Sequence, residues 1–333
     1  MLKSMVRFTV LASGSKGNST VISAGRTRIL VDAGLSCREL FRRMRLAGED
    51  PQAIDAIVVT HEHQDHVNAL AVTARKLNIP VYFTEATHRA WMRWIAPRRQ
   101  MTYAQWLDQC RKQAAERQAE AASPGNEADL DDPEDAPELQ AAELAASEPA
   151  PASDAETQPP TREDPTWLPA VEYFQPGEPF EIGDIHVSPF TVPHDAADPV
   201  GFVFRTEGVR MGFATDLGYI PPNVKSHLRG VDLLLLESNH DLEMLRDGPY
   251  PWSVKQRVLS RVGHLSNDAA AEFLENDYDG QAAYVILAHL SENNNLPELA
   301  KVAAERALNG RASLLANRLL LAEQREPLSS LIF

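Results

Sequence analysis

Short apolar runs, separated by Gly, Asn and charged residues, fill the first ninety positions of the chain. Runs of this length that are rich in Val and Ile are typical of β-strands. Five of them occur in succession, namely VRFTVLAS, NSTVISA, TRILVDAG, AIVVTH and PVYFTEA. Helical spacing appears in HVNALAVTARKLN and in SCRELFRRMRLAG, where Ser36 is placed to cap the helix and Gly48 to end it. This part of the chain is therefore predicted to mix strands and helices.

The same pattern returns in the second half of the chain. Strand-like runs are IHVSPFTVPH, VGFVFRT, VRMGFATD, VDLLLLES and AAYVILAHL, and helical spacing follows in SNDAAAEFLEN and NLPELAKVAAERALNG. Two strand-rich parts, each with its own helices, favour two sheets packed face to face with helices outside them. The pattern thus predicts an α/β fold in four layers, an αββα sandwich.

Residues 104–166 interrupt this pattern. The segment is rich in Ala, Glu, Asp, Pro and Ser, and its 16 acidic against 4 basic residues give −12 of the formal charge of −15. Such a composition cannot bury enough apolar surface to offset the entropy lost on ordering. We therefore expect a long acidic insertion, disordered or partly helical, in a single domain formed by residues 1–103 and 167–333. The insertion is either a solvated tether or a site for regulation or for a protein partner.

The composition indicates the cellular compartment of the protein. With 333 residues and 44% hydrophobic content the chain is long enough for a substantial core. Its two cysteines, Cys37 and Cys110, form no paired motif, which fits a reducing compartment. No apolar run approaches the roughly 20 residues that span a bilayer, and the N-terminal run is too interrupted for a signal peptide. We expect a cytoplasmic protein without a membrane partner; the sequence leaves its oligomeric state open.

The segment THEHQDH places metal-binding chemistry at the end of an apolar run. His61 and His63 are two residues apart, so an extended backbone puts them on one side. Asp65 and His66 follow at a predicted strand-to-helix turn, which can aim a second pair of ligands at a nearby point. Four such side chains would be costly to desolvate without a metal or other partners. Imidazole and carboxylate ligands favour Zn²⁺, Mn²⁺ or Fe²⁺ over Ca²⁺ and Mg²⁺.

A site for two ions needs more ligands than these four. Three later apolar runs end in suitable residues, which are His194 in FTVPHDA, Asp216 in GFATDLG and His289 in VILAHLS. We expect these strand ends to converge on one edge of the sandwich and to complete the site.

These residues, together with Asp32 in VDAG, resemble the ordered motifs of the metallo-β-lactamase superfamily, and the likeness covers the chain outside the insertion. The resemblance implies an αββα fold and two divalent metal ions, Zn²⁺ or Mn²⁺. It implies that one ion is held by His61, His63 and His194 and the other by Asp65, His66 and His289. Asp216 would bridge the two ions.

Finer motifs favour one branch of that superfamily. The segments SGSKGNS, ESNHD, GPYP, KQRVLSRVGHLSND and LAHLSENNN are similar to those of the YycJ/WalJ family of metal-dependent hydrolases. That family is associated with 5′ exonuclease activity on DNA and is related to ribonuclease Z. The resemblance implies a nucleic-acid partner, DNA with a 5′ end, although the chain is acidic overall.

The expected reaction is 5′ to 3′ cleavage of DNA by metal-bound hydroxide. Two ions can lower the pKa of a water, polarise the phosphoryl oxygen and stabilise the leaving oxygen. Asp65 would orient or deprotonate that water, and His264 would give a proton to the leaving alkoxide, like a similarly placed His in ribonuclease Z. The basic segment KQRVLSR leads into His264 and would guide a phosphate backbone. The alternatives are a small-molecule metallohydrolase for esters, thioesters or cyclic phosphodiesters, and a regulatory protein with structural metals.

Five further residues are predicted to contact substrate. Ser15 and Asn18 lie in the SGSKGNS loop, whose backbone N–H groups can approach an anion. Ser291 and Asn293 follow the last predicted ligand. His240 in ESNHD either supports the ligands or contacts the substrate.

Overall fold

Two seven-stranded β-sheets form the centre of the protein in a computed structural model, which describes residues 5–96, 164–309 and 318–333. In spatial order, the strands of the first sheet are β14 (Leu331–Ile332), β1 (Arg7–Ala12), β2 (Ser19–Ala24), β3 (Thr27–Val31), β4 (Ala56–Val58), β5 (Pro80–Phe83) and β6 (Ala170–Tyr173). The strands of the second sheet are β13 (Arg318–Leu321), β12 (Tyr284–Ala288), β11 (Leu233–Glu237), β10 (Val209–Ala214), β9 (Val200–Thr206), β8 (Ile185–Thr191) and β7 (Phe180–Ile182).

Both sheets change from antiparallel to parallel pairing at equivalent strands. In the first sheet β14, β1, β2 and β3 are antiparallel, and β3 to β6 are parallel. In the second sheet β7 to β10 are antiparallel, and β10 to β13 are parallel. The parallel strands end level with one another, as Val31 does with Val58 and Ala214 with Leu236. Residues that follow these strands therefore lie where α/β sheets usually bind ligands, beyond the carboxyl ends of their strands.

Helices cover the outer faces of the sheets. In the described ranges they are α1 (Cys37–Leu46), α2 (Gln64–Val67), α3 (Leu70–Leu77), α4 (Glu85–Ile95), α5 (Pro222–His227), α6 (Leu242–Asp247), α7 (Trp252–Val258), α8 (Asn267–Asn276) and α9 (Pro297–Asn309), with a 3-10 turn at Pro51–Ala53. Every one of these helices is too short or too polar to cross a membrane.

Three clusters of buried apolar side chains lie between successive layers. The central cluster joins the two sheets and includes Phe8 and Phe202. The second lies between the first sheet and its helices and includes Leu40 and Trp91. The third lies between the second sheet and its helices and includes Phe273. The predicted four-layer αββα sandwich is thus confirmed.

The ten predicted strands all form, and so do the predicted helices, with one change. Ser36 caps α1 by accepting the backbone N–H of Glu39, and Gly48 adopts a φ of 75° beyond its end. The helix predicted for HVNALAVTARKLN is divided into α2 and α3. The division falls at Ala69, whose N–H donates to the carbonyl of Ala33 beyond β3 instead of continuing the helix.

The acidic insertion falls mostly outside the described residues, as does Cys110. Residues up to Ala96 and from Thr161 form one compact unit. Asp164 and Thr166, assigned to the insertion by composition, lie against this unit, because Arg75 donates to the Asp164 carbonyl and Thr166 is buried. The disorder and the partner role predicted for residues 104–163 stay predictions.

Candidate metal centre

The predicted metal ligands lie together beyond the strand ends. In the structure all seven fall into groups whose ligand atoms lie within 4.8 Å of one another. They are His61, His63, Asp65 and His66 after β4, His194 after β8, Asp216 after β10, and His289 after β12. Both sheets thus contribute to one site, as expected from the sequence.

Three histidine nitrogens converge in the first group. Nδ1 of His63 lies 3.1 Å from Nε2 of His61 and 3.2 Å from Nε2 of His194. A tetrahedral zinc ion, with Zn–N distances of about 2.0–2.1 Å, holds its ligand nitrogens about 3.3 Å apart, so this spacing fits a metal. Nδ1 of His194 is 3.1 Å from the carbonyl of Gly263, a bond that would leave Nε2 unprotonated for the ion.

The second group combines Asp65, His66 and His289. Oδ2 of Asp65 lies 3.3 Å from Nε2 of His289 and 3.5 Å from Nε2 of His66. Asn18 donates to the same oxygen at 3.0 Å and so fixes the carboxylate. This group also fits an ion, with one carboxylate and two imidazoles as ligands.

Asp216 lies between the two groups. Its Oδ2 is 3.4 Å from Nε2 of His66, and its Oδ1 is 4.0 Å from Nε2 of His194. Oδ2 is buried and has no hydrogen-bond partner among the described residues. A buried carboxylate oxygen without a partner is costly, and a metal ion would satisfy it. The position and the unpaired oxygen both fit the predicted bridging role.

The backbone is strained at three residues of the site. Asp32, Asp216 and His289 have φ values of 60°, 58° and 57°, in the left-handed region that residues other than Gly seldom adopt. Each follows a strand of the parallel part of its sheet. Strain of this kind is concentrated at functional sites, where the surrounding structure must hold it in place.

Asp32 orients His66, one of the residues of the second group. It is fully buried, and its Oδ2 lies 2.8 Å from Nδ1 of His66. The backbone N–H and the hydroxyl of Thr60 also donate to it, each at 2.9 Å. Burial raises the pKa of Asp32, although His66 opposes the shift. The carboxylate thus fixes the His66 ring with Nε2 facing the metal position.

The protonation states of two predicted ligands, His61 and Asp65, suit a cation. Burial, together with the neighbouring histidines, holds the pKa of His61 well below its usual value. Burial works to raise the pKa of Asp65, but His66 and His289 hold it well below its usual value. A neutral imidazole and an ionised carboxylate are the forms that bind metal.

Glu237 and His264 form a pair beside the ligands. Glu237 ends β11 with no exposed surface, and its Oε1 lies 2.7 Å from Nδ1 of His264 and 3.1 Å from Nδ1 of His289. Its Oε2 accepts the backbone N–H groups of Leu217 and Leu265. Burial lowers the pKa of His264, but the Glu237 carboxylate outweighs it and the net shift is upward. The pair therefore presents an oriented imidazole that can carry a proton.

A cleft of about 490 Å³ lies over the centre. This size is typical of sites for small ligands. The floor contains His264 and the predicted ligands His63, Asp65, Asp216 and His289, and the walls come from α4 and α7. A substrate in this cleft would reach the metal positions and His264 at the same time.

Residues 12–254 match the metallo-beta-lactamase superfamily. The chain belongs to this superfamily. It is 32% identical to exodeoxyribonuclease YycJ of Bacillus anthracis over 308 residues, which cover 91% of this chain and 89% of YycJ. It is 29% identical to exodeoxyribonuclease WalJ of Streptococcus pneumoniae serotype 2 over 294 residues, which cover 88% of this chain and 85% of WalJ. The predicted resemblance to YycJ and WalJ is confirmed, and the chain is a metal-dependent hydrolase.

Solved structures share the fold. The metallo-beta-lactamase fold protein YhfI from Bacillus subtilis has a TM-score of 0.58 at 14% identity, covering 98% of this chain and 99% of YhfI. The short form of human tRNase Z has a TM-score of 0.52 at 14% identity, covering 97% of this chain and 98% of tRNase Z. At this level of identity the likeness concerns the arrangement of the sheets and helices.

The predicted substrate contacts lie in three different settings. Ser15 lines the cleft, whereas Asn18 is buried and bonded to Asp65. Ser291 and Asn293 line a separate cavity, which has no predicted metal ligand in its wall. His240 is 1% exposed, and neither ring nitrogen has a hydrogen-bond partner among the described residues. The structure therefore brings only Ser15 to the cleft, and contact of the five with substrate stays a prediction.

Sequence reasoning overlooked Glu237 and Trp94. Glu237 ends the run LLLLE, so a buried acid at a strand end was the available signal, the same one that identified the THEHQDH segment. Trp94 lines the cleft from α4, a position that depends on how distant parts of the chain are placed. Arg257 lines the cleft from α7 and belongs to the basic segment KQRVLSR, for which the sequence predicts contact with a phosphate backbone.

Proposed function

We propose that this hydrolase is a dinuclear phosphodiesterase that removes nucleotides from the 5′ end of DNA. The observation that carries the proposal is the Glu237–His264 pair, whose imidazole lines one cleft with predicted ligands. Hydrolysis of a phosphodiester needs an activated water and a proton donor for the leaving alkoxide, and the cleft contains groups for both. The names of YycJ and WalJ, both exodeoxyribonucleases, support DNA as the substrate.

Metal ions at these positions would balance the negative charge that develops during the reaction. When bound, two divalent ions would lower the pKa of a water and stabilise the negative charge on the phosphoryl and leaving oxygens. His61, His63 and His194 would hold one ion, and a second set of ligands would hold the other: Asp65, His66 and His289, with Asp216 shared.

Asp65 and His264 would divide the proton transfers between them. The Asp65 carboxylate would orient the attacking water and accept its proton as the water oxygen bonds to phosphorus. The bond from phosphorus to the 3′ oxygen of the terminal nucleotide breaks, and Nε2 of His264 gives its proton to that oxygen. Glu237 holds Nδ1 of His264, so the ring is aimed and Nε2 is left for the cleft. The products are a free nucleotide and a chain shortened by one residue with a new 5′ phosphate.

Two exposed cations lie in and beside the cleft. Arg257 lines the cleft and pairs with Asp195 through Nε, while its side chain stays 64% exposed. Lys16 lies in an adjoining depression and pairs with Glu292, with its side chain 70% exposed. Both cations are open to a phosphate, and phosphate binding by Lys and Arg does not depend on the net charge of the whole protein.

The test is degradation of 5′-phosphorylated DNA by purified protein loaded with Mn²⁺ or Zn²⁺. Wild type should cut it, and His264→Ala should bind metal normally but lose about 10²–10⁴-fold in rate. His61→Ala should lose both metal and activity. A loaded wild-type protein that hydrolyses a thioester or a cyclic nucleotide but no DNA would overturn the proposal.

A further inference from the structure

Two tryptophans of α4 lie in opposite environments. Trp91 is fully buried and packs near Phe83 and His88. Trp94, one helical turn later, is 62% exposed and lines the cleft over the metal centre. A large aromatic ring left open to solvent beside a catalytic cleft is an unused binding surface, since burial of an indole is strongly favourable.

The opposite wall is formed by α7 and is also exposed. Helix α7 buries none of its residues. Val254, Arg257 and Val258 lie on one face of it, spaced three and four residues apart, and this face lines the cleft. The wall therefore offers two aliphatic side chains and one cation.

The pair of walls suits a flat apolar group joined to a phosphate. The floor supplies the metal positions and His264, which attract and act on the phosphate, while Trp94 and the valines border the space above. A nucleotide has this combination of parts, because its base presents a π-face and its phosphate carries the charge. Stacking on an aromatic side chain is how proteins commonly bind single-stranded bases without reading their sequence.

The position of His264 decides which nucleotide occupies the cleft. His264 would protonate the leaving oxygen, and it shares the cleft with Trp94. A second depression adjoins the cleft at Ser15 and Asp65 and contains Lys16 and Asn68. The leaving nucleotide would therefore occupy the cleft that His264 and Trp94 both line, and the adjoining depression with Lys16 would be open to the remaining chain.

We propose that Trp94 is a specificity-determining residue that stacks on the base of the nucleotide being removed. The proposal rests on the nuclease function above and adds to it a subsite in which a terminal base, but not its identity, is recognised. The cleft holds about 490 Å³, a space in the range that binds small ligands, which suits one terminal nucleotide.

The experiment compares two single-stranded 5′-phosphorylated DNAs that differ only in whether the terminal nucleotide carries a base or is abasic. For the intact DNA, Trp94→Ala should lower kcat/KM for the first cleavage by about 5- to 150-fold, the range expected for one base–aromatic stack. Wild type should cut the abasic DNA more slowly by a similar factor, and Trp94→Ala should slow that substrate no further. Trp94→Phe should recover most of the rate on intact DNA.

Trp252 provides the matched control. It is 67% exposed on α7 and lies outside the cleft lining, so Trp252→Ala should cut both DNAs like wild type. Inhibition gives a second readout: deoxyadenosine 5′-monophosphate should inhibit Trp94→Ala about 5- to 150-fold more weakly than wild type, whereas deoxyribose 5-phosphate should inhibit both equally.

The outcomes separate this inference from the function on which it rests. Equal rates on the two DNAs with wild type, or equal slowing of both by Trp94→Ala, would overturn the stacking role while leaving the exonuclease proposal intact. Failure of the metal-loaded wild type to cut either DNA would overturn the exonuclease proposal, and the subsite with it.

Discussion

Nδ1 of His264 lies 2.7 Å from Oε1 of Glu237, a carboxylate with no exposed surface. The two residues are 27 positions apart in the sequence and come from β11 and from the loop before α8. The carboxylate sets both the direction of the ring and the nitrogen that carries the exchangeable proton. Glu237 thus acts through His264, and we regard it as a positioning residue.

Glu237→Gln should lower kcat by about 10²–10⁴-fold with little change in KM. The amide keeps the shape of the side chain but cannot accept hydrogen bonds from both histidines and from both backbone N–H groups. In a His264→Ala background the same substitution should lower kcat much less, because the His264 ring that Glu237 orients is already absent. Rates of the four proteins, with bound metal measured for each, check this. If the two substitutions lower kcat by independent factors at unchanged metal content, Glu237 does not act through His264.

Asp32→Asn should weaken metal binding by about 10–100-fold, the usual effect of losing a group that orients a histidine ligand. Asn tolerates the left-handed backbone at this position, where φ is 60°, so the fold should be kept. Competition with a chelator measures the affinity. Asp268→Asn, an exposed change at the start of α8, is the control and should bind metal like wild type.

The sequence predicts a cluster of metal ligands because the signal is local. His61, His63, Asp65 and His66 are crowded at one strand end, and polar residues that close an apolar run are easy to see. The supporting interactions are not local. The contacts of Glu237 with His264, and of helix α4 with the cleft, depend on how distant parts of the chain meet.

The sequence pattern does not predict several secondary-structure elements. Helix α7 buries no residue. Strand β6 is mostly exposed at the edge of its sheet, and β14 contains two residues. A buried face is not sufficient for prediction either, because α4 buries Trp91 and is not among the predicted helices.

His240→Leu should make stability less sensitive to acid. Burial lowers the pKa of His240 from 6.5 to about 4, so the folded protein keeps this ring neutral while the unfolded chain protonates it below pH 6.5. Above pH 6.5 both states hold His240 neutral, and the residue does not change the free energy of unfolding with pH. As the pH falls from 6.5 towards 4, the free energy of unfolding decreases by up to about 1.4 kcal/mol per pH unit. Urea unfolding of both proteins at pH 7 and pH 5 measures the difference. Parallel losses in the two proteins would show that His240 does not titrate in this way.

Replacing residues 104–163 by a short Gly-Ser linker should leave metal content and DNA cleavage close to those of the full chain. The site and its supporting residues all lie in the unit formed by residues up to Ala96 and from Thr161. Bound metal, thermal unfolding and exonuclease rate check the prediction. Loss of folding in the shortened protein would show that the insertion contributes to the domain.

The most direct test of the dinuclear 5′ exonuclease account follows a 5′-labelled DNA strand during digestion by the metal-loaded protein. The account predicts that the label leaves first as a mononucleotide, while the same strand labelled at its 3′ end shortens by single residues. The His264→Ala protein, loaded with the same metal, should release label about 10²–10⁴-fold more slowly. A 5′ label that first appears on fragments longer than one nucleotide, or a loaded wild type that leaves the strand intact, would contradict the account.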